Sequence, residues 1–224
     1  MSDVRRYKPQ LASSTSVDHL ASLESVSRFV VGEKLDGYRE LIYLHNDRTE
    51  LIARSGADHS ANALHISGVG HPSLAGTVID CEAVAPSGLI GDVKSILGSS
   101  ANTAAQWQKA NGLLRLVAVD MLQTHGDSIV HIPFSVRRQL LETVMKELDS
   151  NFMLERLITI DKVAFYKSVI VRGGEGVVIK DLDGPYEQGK RRWLKLKKSK
   201  TWDVVVVDFS QGQGKYADTI GART

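Results

Sequence analysis

The chain has 224 residues, of which 42% are hydrophobic and 24% charged, a balance typical of an ordinary soluble globular protein. The formal net charge of +2 is too small to indicate nucleic-acid binding by itself. The single cysteine, Cys81, excludes an intrachain disulfide, and no apolar run approaches the roughly 18 residues of a membrane span. We therefore expect a cytoplasmic protein, monomeric and without a membrane partner.

The first half of the chain is predicted to consist mainly of strands. An amphipathic helix is expected over residues 17–24. Residues 91–111 are polar and rich in small side chains, so we expect a mobile insertion with one short helix. Strands are expected at residues 30–31, 39–44, 49–53 and 77–84, the second and third forming a hairpin.

Helices and strands alternate in the second half. A helix over residues 136–148 is expected to follow Ser135 as its N-cap, and a helix over residues 161–171 to end at Gly173 and Gly174. Strands are expected at residues 113–122, 176–179 and 204–207. Because several strands lack polar alternation, we expect them to be buried on both faces.

The pattern changes near residue 200. A basic run over residues 195–200 is followed by a new strand over residues 203–208 and a glycine-rich segment over residues 211–215. One strand and one loop cannot bury a core of their own. We therefore expect a first domain over residues 1–200 and, over residues 201–224, only the start of a second.

The segment from Glu33 to Arg39 carries the strongest chemical pattern, with Lys34, Asp36 and Gly37 between them. Taken alone, it could be two strands joined by a solvated Asp-Gly turn. Alternatively, the turn holds Lys34 at a strand end with its amine facing a pocket. Burial or nearby cations would lower the pKa of that amine and make it nucleophilic.

Two later segments add a carboxylate and further cations. Glu175 and Lys180 bracket an apolar strand, which alone could be a buried strand with a charge at each end. Lys195 and Lys197 are two residues apart on a strand, so they share a face and can reach the same phosphate. Taken alone, this second segment could be a solvated edge strand.

These segments resemble, in order and spacing, the signatures of the covalent nucleotidyltransferases, which include DNA ligases, RNA ligases and mRNA capping enzymes. The first signature is the Lys-x-Asp-Gly-x-Arg pattern that starts at Lys34, and residues 7–12 resemble the entry to ligase cores. The resemblance runs from about Lys8 to the C-terminus. Two positions depart from it, because Cys81 stands where glycine is usual and Val119 where an aromatic residue stacks on the purine.

The resemblance implies a role for each matching residue. Lys34 would be the nucleophile that carries AMP, held by Asp36 and Gly37, with Lys180 and Lys195 as the other catalytic residues. Glu82 and Glu175 would hold Mg²⁺ or Mn²⁺. The residues implied to bind ATP are Glu33, Arg39, Arg54, Glu82, Val119, Val178 and Lys197.

The resemblance also implies an α+β fold, in which two curved antiparallel sheets flank a nucleotide cleft, as in ATP-grasp-like adenylation domains. The first strand of an oligonucleotide-binding (OB) fold would follow. Only 33 residues precede Lys34, too few for the extra domain of NAD-dependent ligases. Capping enzymes usually carry aspartate at the position of Glu175, and RNA ligases tend to lose the arginine at the position of Arg39.

An ATP-dependent DNA ligase of the small viral or bacterial type is therefore expected, in the bacterial cytosol or a virus-infected cell. Its partners would be ATP and nicked double-stranded DNA, and its roles DNA repair, replication and recombination. The alternatives are an RNA ligase, a capping enzyme, or a fragment that binds nucleotide or nicked DNA with little turnover.

Overall fold

The computed structural model describes residues 6–198, 210–212, 217–218 and 220–221. Strands from both ends of residues 6–198 combine in one sheet, and the strands between them form the other. The strands are β1 Leu11–Ser14, β2 Phe29–Glu33, β3 Tyr38–Leu44, β4 Thr49–Ala53, β5 Thr77–Val84, β6 Arg115–Thr124, β7 Asp127–Ser128, β8 Phe152–Leu154, β9 Leu157–Ile158, β10 Gly176–Asp181, β11 Arg191–Lys197, β12 Ser210–Gln211 and β13 Ile220–Gly221. The helices are α1 Val17–Ser22, α2 Leu64–Ser67, α3 Ile90–Leu97, α4 Ala101–Asn111, α5 Phe134–Val144 and α6 Lys162–Val171, with 3₁₀ turns at Ser60–Asn62 and Pro72–Leu74.

The first sheet has five strands in the order β1-β11-β10-β2-β9. β1 runs parallel to β11, and the other pairs are antiparallel. Helices α1 and α6 pack on one face, over the side chains of Val31, Val177 and Ile179. The opposite face is consequently left for polar side chains on the same strands.

The second sheet has the order β4-β3-β5-β6-β7, with β8 parallel to β6 on a separate branch. Its outer face carries the larger apolar core, which includes Ile42, Ile79 and Leu116 and is covered by α3, α4 and α5. A third apolar cluster joins the two sheets, since Trp193 of β11 packs with Leu41 of β3 and Val119 of β6.

The expected α+β fold with two antiparallel, curled sheets is confirmed. The two parallel pairs were not predicted, because they join segments far apart in the chain and no local pattern reports such pairing. Among the segments that the structure describes, no helix is long and apolar enough to cross a bilayer.

Two local predictions were wrong. Residues 91–111 form two helices, and α3 buries Val93, Ile96 and Leu97 in the core. α4 lacks an apolar stripe and buries Ala104 and Gln108, which explains why its sequence looked like an insertion.

Ser135 is not an N-cap, because α5 begins one residue earlier, at Phe134. Pro133 occupies the cap position without a side-chain hydrogen bond. Its fixed φ suits the entry to a helix. The helix ends at Val144, short of the predicted residue 148.

The sequence predicts one strand in this region, over residues 204–207 or, with its flanking aspartates, residues 203–208. These residues lie outside those that the structure describes. Ser210–Gln211 pairs antiparallel with Ile220–Gly221 in a separate two-stranded sheet.

Candidate active site

A cavity of about 600 Å³ is lined by residues of both large sheets. It brings together most of the residues that the sequence singled out. Asp36 and Glu175 do not line the wall directly, although both contact segments that do. The predicted residues in the wall are Glu33, Lys34, Gly37, Arg39, Arg54, Glu82, Val119, Val178, Lys180, Lys195 and Lys197.

Lys34 lies one residue beyond the end of β2, where its backbone N–H donates to the carbonyl of Gly176 at 2.9 Å. Its Nζ is 2.5 Å from Oε2 of Glu175, and Nζ of Lys197 is 2.5 Å from Oε1 of the same carboxylate. Burial alone would raise the pKa of Glu175, but the hydrogen bonds from Lys197 and Lys34 lower it. One carboxylate therefore holds two amines at the cavity.

The turn after Lys34 requires glycine at position 37. A Cβ on Gly37 would lie 2.3 Å from the carbonyl oxygen of Ala83 and 2.8 Å from Cγ of Glu82. Asp36 accepts a hydrogen bond from the backbone N–H of Ile90 at 3.4 Å, which connects the turn to α3. These contacts fix the position of the turn between the two sheets.

Glu82 projects from β5 into the cavity and forms no side-chain hydrogen bond with the described residues. Burial, together with the nearby carboxylates of Asp80 and Glu175, raises the pKa of Glu82 to about 7 against the opposing charges of Arg39 and Lys34. An acid in this situation is well placed to accept a cation from solution.

Arg39 lies in the cavity wall, but its guanidinium is already paired and is not free to bind a phosphate. Its guanidinium forms a two-pronged ion pair with Asp80, with one N–O distance of 2.7 Å, and stacks 4.8 Å from the Trp193 ring centre. Asp80 is fully buried and also accepts a hydrogen bond from the Tyr186 hydroxyl at 2.5 Å. In this arrangement Arg39 joins β3, β5 and β11.

Lys180 is 2% exposed. Its ammonium donates to the carbonyl of Val119 at 2.9 Å and to Oε2 of Glu155, and lies 4.5 Å from the Trp193 ring centre. Burial lowers the pKa of Lys180, and the Glu155 carboxylate opposes that shift. Glu155 was missed by sequence reasoning. Its only local signal is an acid directly after the short strand β8.

Lys195 and Arg54 are cations in the wall whose side chains make no ion pair with the rest of the described chain. Burial, followed by the charges of Lys197, Arg191 and Lys34, lowers the pKa of Lys195. Cations gathered without matching acids form a favourable place for an anion. Glu33 differs, because its carboxylate is 2.6 Å from Arg172 beside α6.

Two carboxylates here could hold a divalent metal, namely Glu82, which has no ion pair among the described residues, and Glu175 once it releases Lys34 and Lys197. Within the described ranges, no group of three or more His, Cys, Asp or Glu side chains could hold a metal ion. Mg²⁺ in nucleotide sites usually takes one or two carboxylates together with phosphate oxygens and water. The pair Glu82 and Glu175 therefore suits a metal that arrives with a phosphate ligand.

Comparison with known proteins agrees with this geometry. The family profile described as "ATP dependent DNA ligase domain" matches residues 9–197. A protein named "Probable DNA ligase" from Sorangium cellulosum is 29% identical over 223 residues, which is 95% of this chain and 41% of that protein. Another of that name, from Dictyoglomus turgidum, is 37% identical over 115 residues, 46% of this chain and 20% of that protein.

Among solved structures, mycobacterial DNA ligase D complexed with ATP and MES superimposes with a TM-score of 0.67. The two chains are 26% identical, and the match covers 85% of this chain and 60% of that one. The chain thus spans about two fifths of the length of the Sorangium cellulosum relative.

Proposed function

Because the chain belongs to the ATP-dependent DNA ligase family over residues 9–197, we propose that it is the catalytic core of such a ligase. The observation that carries the proposal is the Lys34 amine at a cavity, in contact with Glu175 and close to the cations of Lys195 and Lys197. An amine close to two further cations suits attack on a phosphoryl group, whose negative charge must be stabilised as it transfers.

In the first step, Lys34 Nζ attacks the α-phosphorus of ATP. An N–P bond forms, the bond between the α-phosphorus and the oxygen that bridges to the β-phosphate breaks, and pyrophosphate leaves. The ammonium must first lose a proton, because only the free amine is a nucleophile. The proton is released to solvent, and the Glu175 carboxylate, 2.5 Å from Nζ, orients the amine.

Lys195 and Lys197 are proposed to bind the phosphates, with Arg54 at the open side of the cavity. Lys195 needs no exchange of partners, whereas Lys197 must leave Glu175. The resemblance to covalent nucleotidyltransferases would place Lys180 on the α-phosphate. To bind there, Lys180 would have to release Glu155 and the Val119 carbonyl.

Val119 and Val178 are proposed to pack against the purine, and Glu33, Arg39 and Glu82 to contact the nucleotide. Glu82 and Glu175 would hold Mg²⁺ or Mn²⁺. When bound, the metal supplies positive charge at the phosphate oxygens. Glu82 has no hydrogen-bond partner among the described residues, whereas Glu175 would have to release Lys34 and Lys197 to hold the metal.

The later steps transfer AMP to the 5′-phosphate at a nick, and the 3′-hydroxyl displaces it to seal the strand. We propose nicked double-stranded DNA as the partner, and a domain boundary near residue 200. The family match ends at residue 197, and β12 pairs with β13 outside both large sheets. Both observations support residues 1–200 as the adenylation unit and residues 201–224 as the start of an OB domain.

The rival function is a module that binds nucleotide or DNA without turnover, since it would need the same cavity. Incubation with α-labelled ATP and Mg²⁺, followed by denaturing electrophoresis, separates the two. We expect label that survives denaturation. Retention of label only under native conditions would support the binding module and contradict the enzyme.

A further inference from the structure

The Glu155 carboxylate lies at the wall of the cavity and has no role in the chemistry described above. The residue is 5% exposed, and it lies in the link between β8 of one sheet and β9 of the other. Its Oε2 accepts a hydrogen bond from the Lys180 ammonium, whereas Oε1 accepts none from the residues that the structure describes. This oxygen can be reached from the cavity that Glu155 lines, so a ligand N–H can donate to it there.

Gly32 makes room for this oxygen. A Cβ on Gly32 would lie 2.1 Å from Oε1 of Glu155, closer than any side chain allows. The free oxygen therefore lies over the β2 backbone only because position 32 has no side chain. Gly32 has no positive φ, so close approach, and not backbone conformation, explains glycine here.

The sheet register places Glu155 at one end of a row. Gly32 pairs with Val178, and Val178 pairs with Lys195, so the three residues share one face of neighbouring strands. Adjacent strands are about 4.8 Å apart, which places Lys195 on the order of 10 Å from Gly32. A nucleotide over Val178 would have the phosphate-binding lysine at one end and the Glu155 carboxylate at the other.

We propose that Glu155 selects the base of the nucleotide, by accepting a hydrogen bond from the exocyclic 6-amino group of adenine. This inference rests on the proposed function for the identity of the site. A purine with an oxygen at position 6 would bring an acceptor against the carboxylate, and both groups would be left without a donor. Glu155 is thus a specificity residue, and Gly32 a positioning residue that admits it.

The selection can be measured without covalent chemistry, by titrating the protein with AMP, IMP and purine riboside monophosphate in a calorimeter. We expect AMP to bind about tenfold to a hundredfold more tightly than purine riboside monophosphate, which lacks the 6-amino group, because the hydrogen bond involves a charged group. IMP should bind more weakly still. Equal binding of AMP and purine riboside monophosphate by the unaltered chain overturns the proposal.

Glu155→Gln gives a second, more specific readout. Lys180 should retain the amide oxygen, so that the amide NH₂ faces the nucleotide and donates to the 6-oxygen of IMP. We expect the ratio of AMP to IMP affinity to fall by at least tenfold, with thermal unfolding showing that the variant is folded. If Glu155 only holds Lys180, all three nucleotides will weaken by the same factor, and the proposal is wrong.

The two proposals fail separately in this design. If labelled ATP gives no covalent adduct but AMP still binds selectively, the ligase function fails and base selection stands. If an adduct forms at equal rates from ATP and ITP, the ligase function stands and base selection by Glu155 is overturned. Asp47→Asn, which changes an exposed carboxylate paired with Arg48 between β3 and β4, is the matched control and should leave all three affinities unchanged.

Discussion

The ion pairs of the two sheets differ in burial. Those of the six-stranded sheet stabilise the structure, and those of the five-stranded sheet lie at the reactive cavity. On the six-stranded sheet, Asp80 and Asp120 are fully buried, and each binds an arginine through both carboxylate oxygens. On the five-stranded sheet, the pair Lys34–Glu175 is about one quarter exposed, and Lys195 has no acid partner among the described residues.

Buried pairs cannot exchange partners without a large desolvation cost, whereas partly exposed pairs can. The six-stranded wall is thus suited to fix geometry, and the five-stranded wall to exchange its ion pairs for a phosphate. Lys180 is the exception, because it belongs to the five-stranded sheet but is buried against the Val119 carbonyl of the other. It joins the two walls.

The largest effect is expected at Lys34. Lys34→Ala and Lys34→Arg should each lower the rate of covalent adduct formation by roughly 10⁴-fold or more, because alanine has no amine and guanidinium stays protonated. The melting temperature should hardly change, since the Lys34 pair is partly exposed. Labelling with α-labelled ATP and thermal unfolding provide the two readouts. An adduct in either variant would remove Lys34 from its role.

At Asp120 we expect the reverse of the Lys34 variants, namely a large loss of stability. Asp120→Ala leaves the Arg137 guanidinium buried without its acid and should cost about 3–5 kcal/mol of unfolding free energy. Glu142→Ala, which removes an exposed pair on the same helix as Arg137, should cost less than about 0.5 kcal/mol. Urea denaturation measures both. Similar losses in the two variants would mean that burial does not distinguish these ion pairs.

Glu175 and Lys195 are expected to separate metal binding from phosphate binding. Glu175→Ala should slow adduct formation by about 10²-fold, and excess Mg²⁺ should restore part of the rate, because a carboxylate ligand has been lost. Lys195→Ala should slow the reaction to a similar extent without rescue, because a cation beside the phosphate has been lost. Single-turnover rates over a Mg²⁺ series test this division, and identical responses of the two variants would refute it.

The smallest effect concerns Glu40, a fully buried acid on β3. Burial, and then the carboxylates of Glu82 and Asp58, raise its pKa to about 8. The folded chain therefore keeps a proton that the unfolded chain releases near pH 4.5, so stability falls as pH rises from about 4.5 to about 8.

Glu40→Gln should remove this fall. Relative to the variant, the unaltered chain should lose on the order of 2 kcal/mol between pH 6 and pH 8. Thermal unfolding across that range is the measurement. Parallel stability curves for the two proteins would show that Glu40 does not titrate in the folded state.

The strands and the reactive cavity could be predicted from sequence because their signals are local. The Lys-x-Asp-Gly-x-Arg pattern at Lys34 and the alternation of Lys195 and Lys197 each lie within one segment, and the cavity brings these segments together. Glu155 gave no such signal. Its position depends on Gly32 and Lys180, more than 20 residues away on other strands.

The partners of Arg39 could not be predicted for the same reason. Asp80 is 41 residues away, and the ring of Trp193 comes from the other sheet. α4 was missed because burial of an alanine and a glutamine leaves no hydrophobic pattern in the sequence. Packing between distant segments decided each of these features.

Peptide mapping can show directly whether Lys34 carries AMP. The protein would be incubated with ATP and Mg²⁺, digested, and the modified peptide sequenced by mass spectrometry. We expect AMP on the Nζ of Lys34 and on no other lysine of the cavity. AMP on Lys180, Lys195 or Lys197, or no modified peptide when AMP binding is demonstrable, would contradict it.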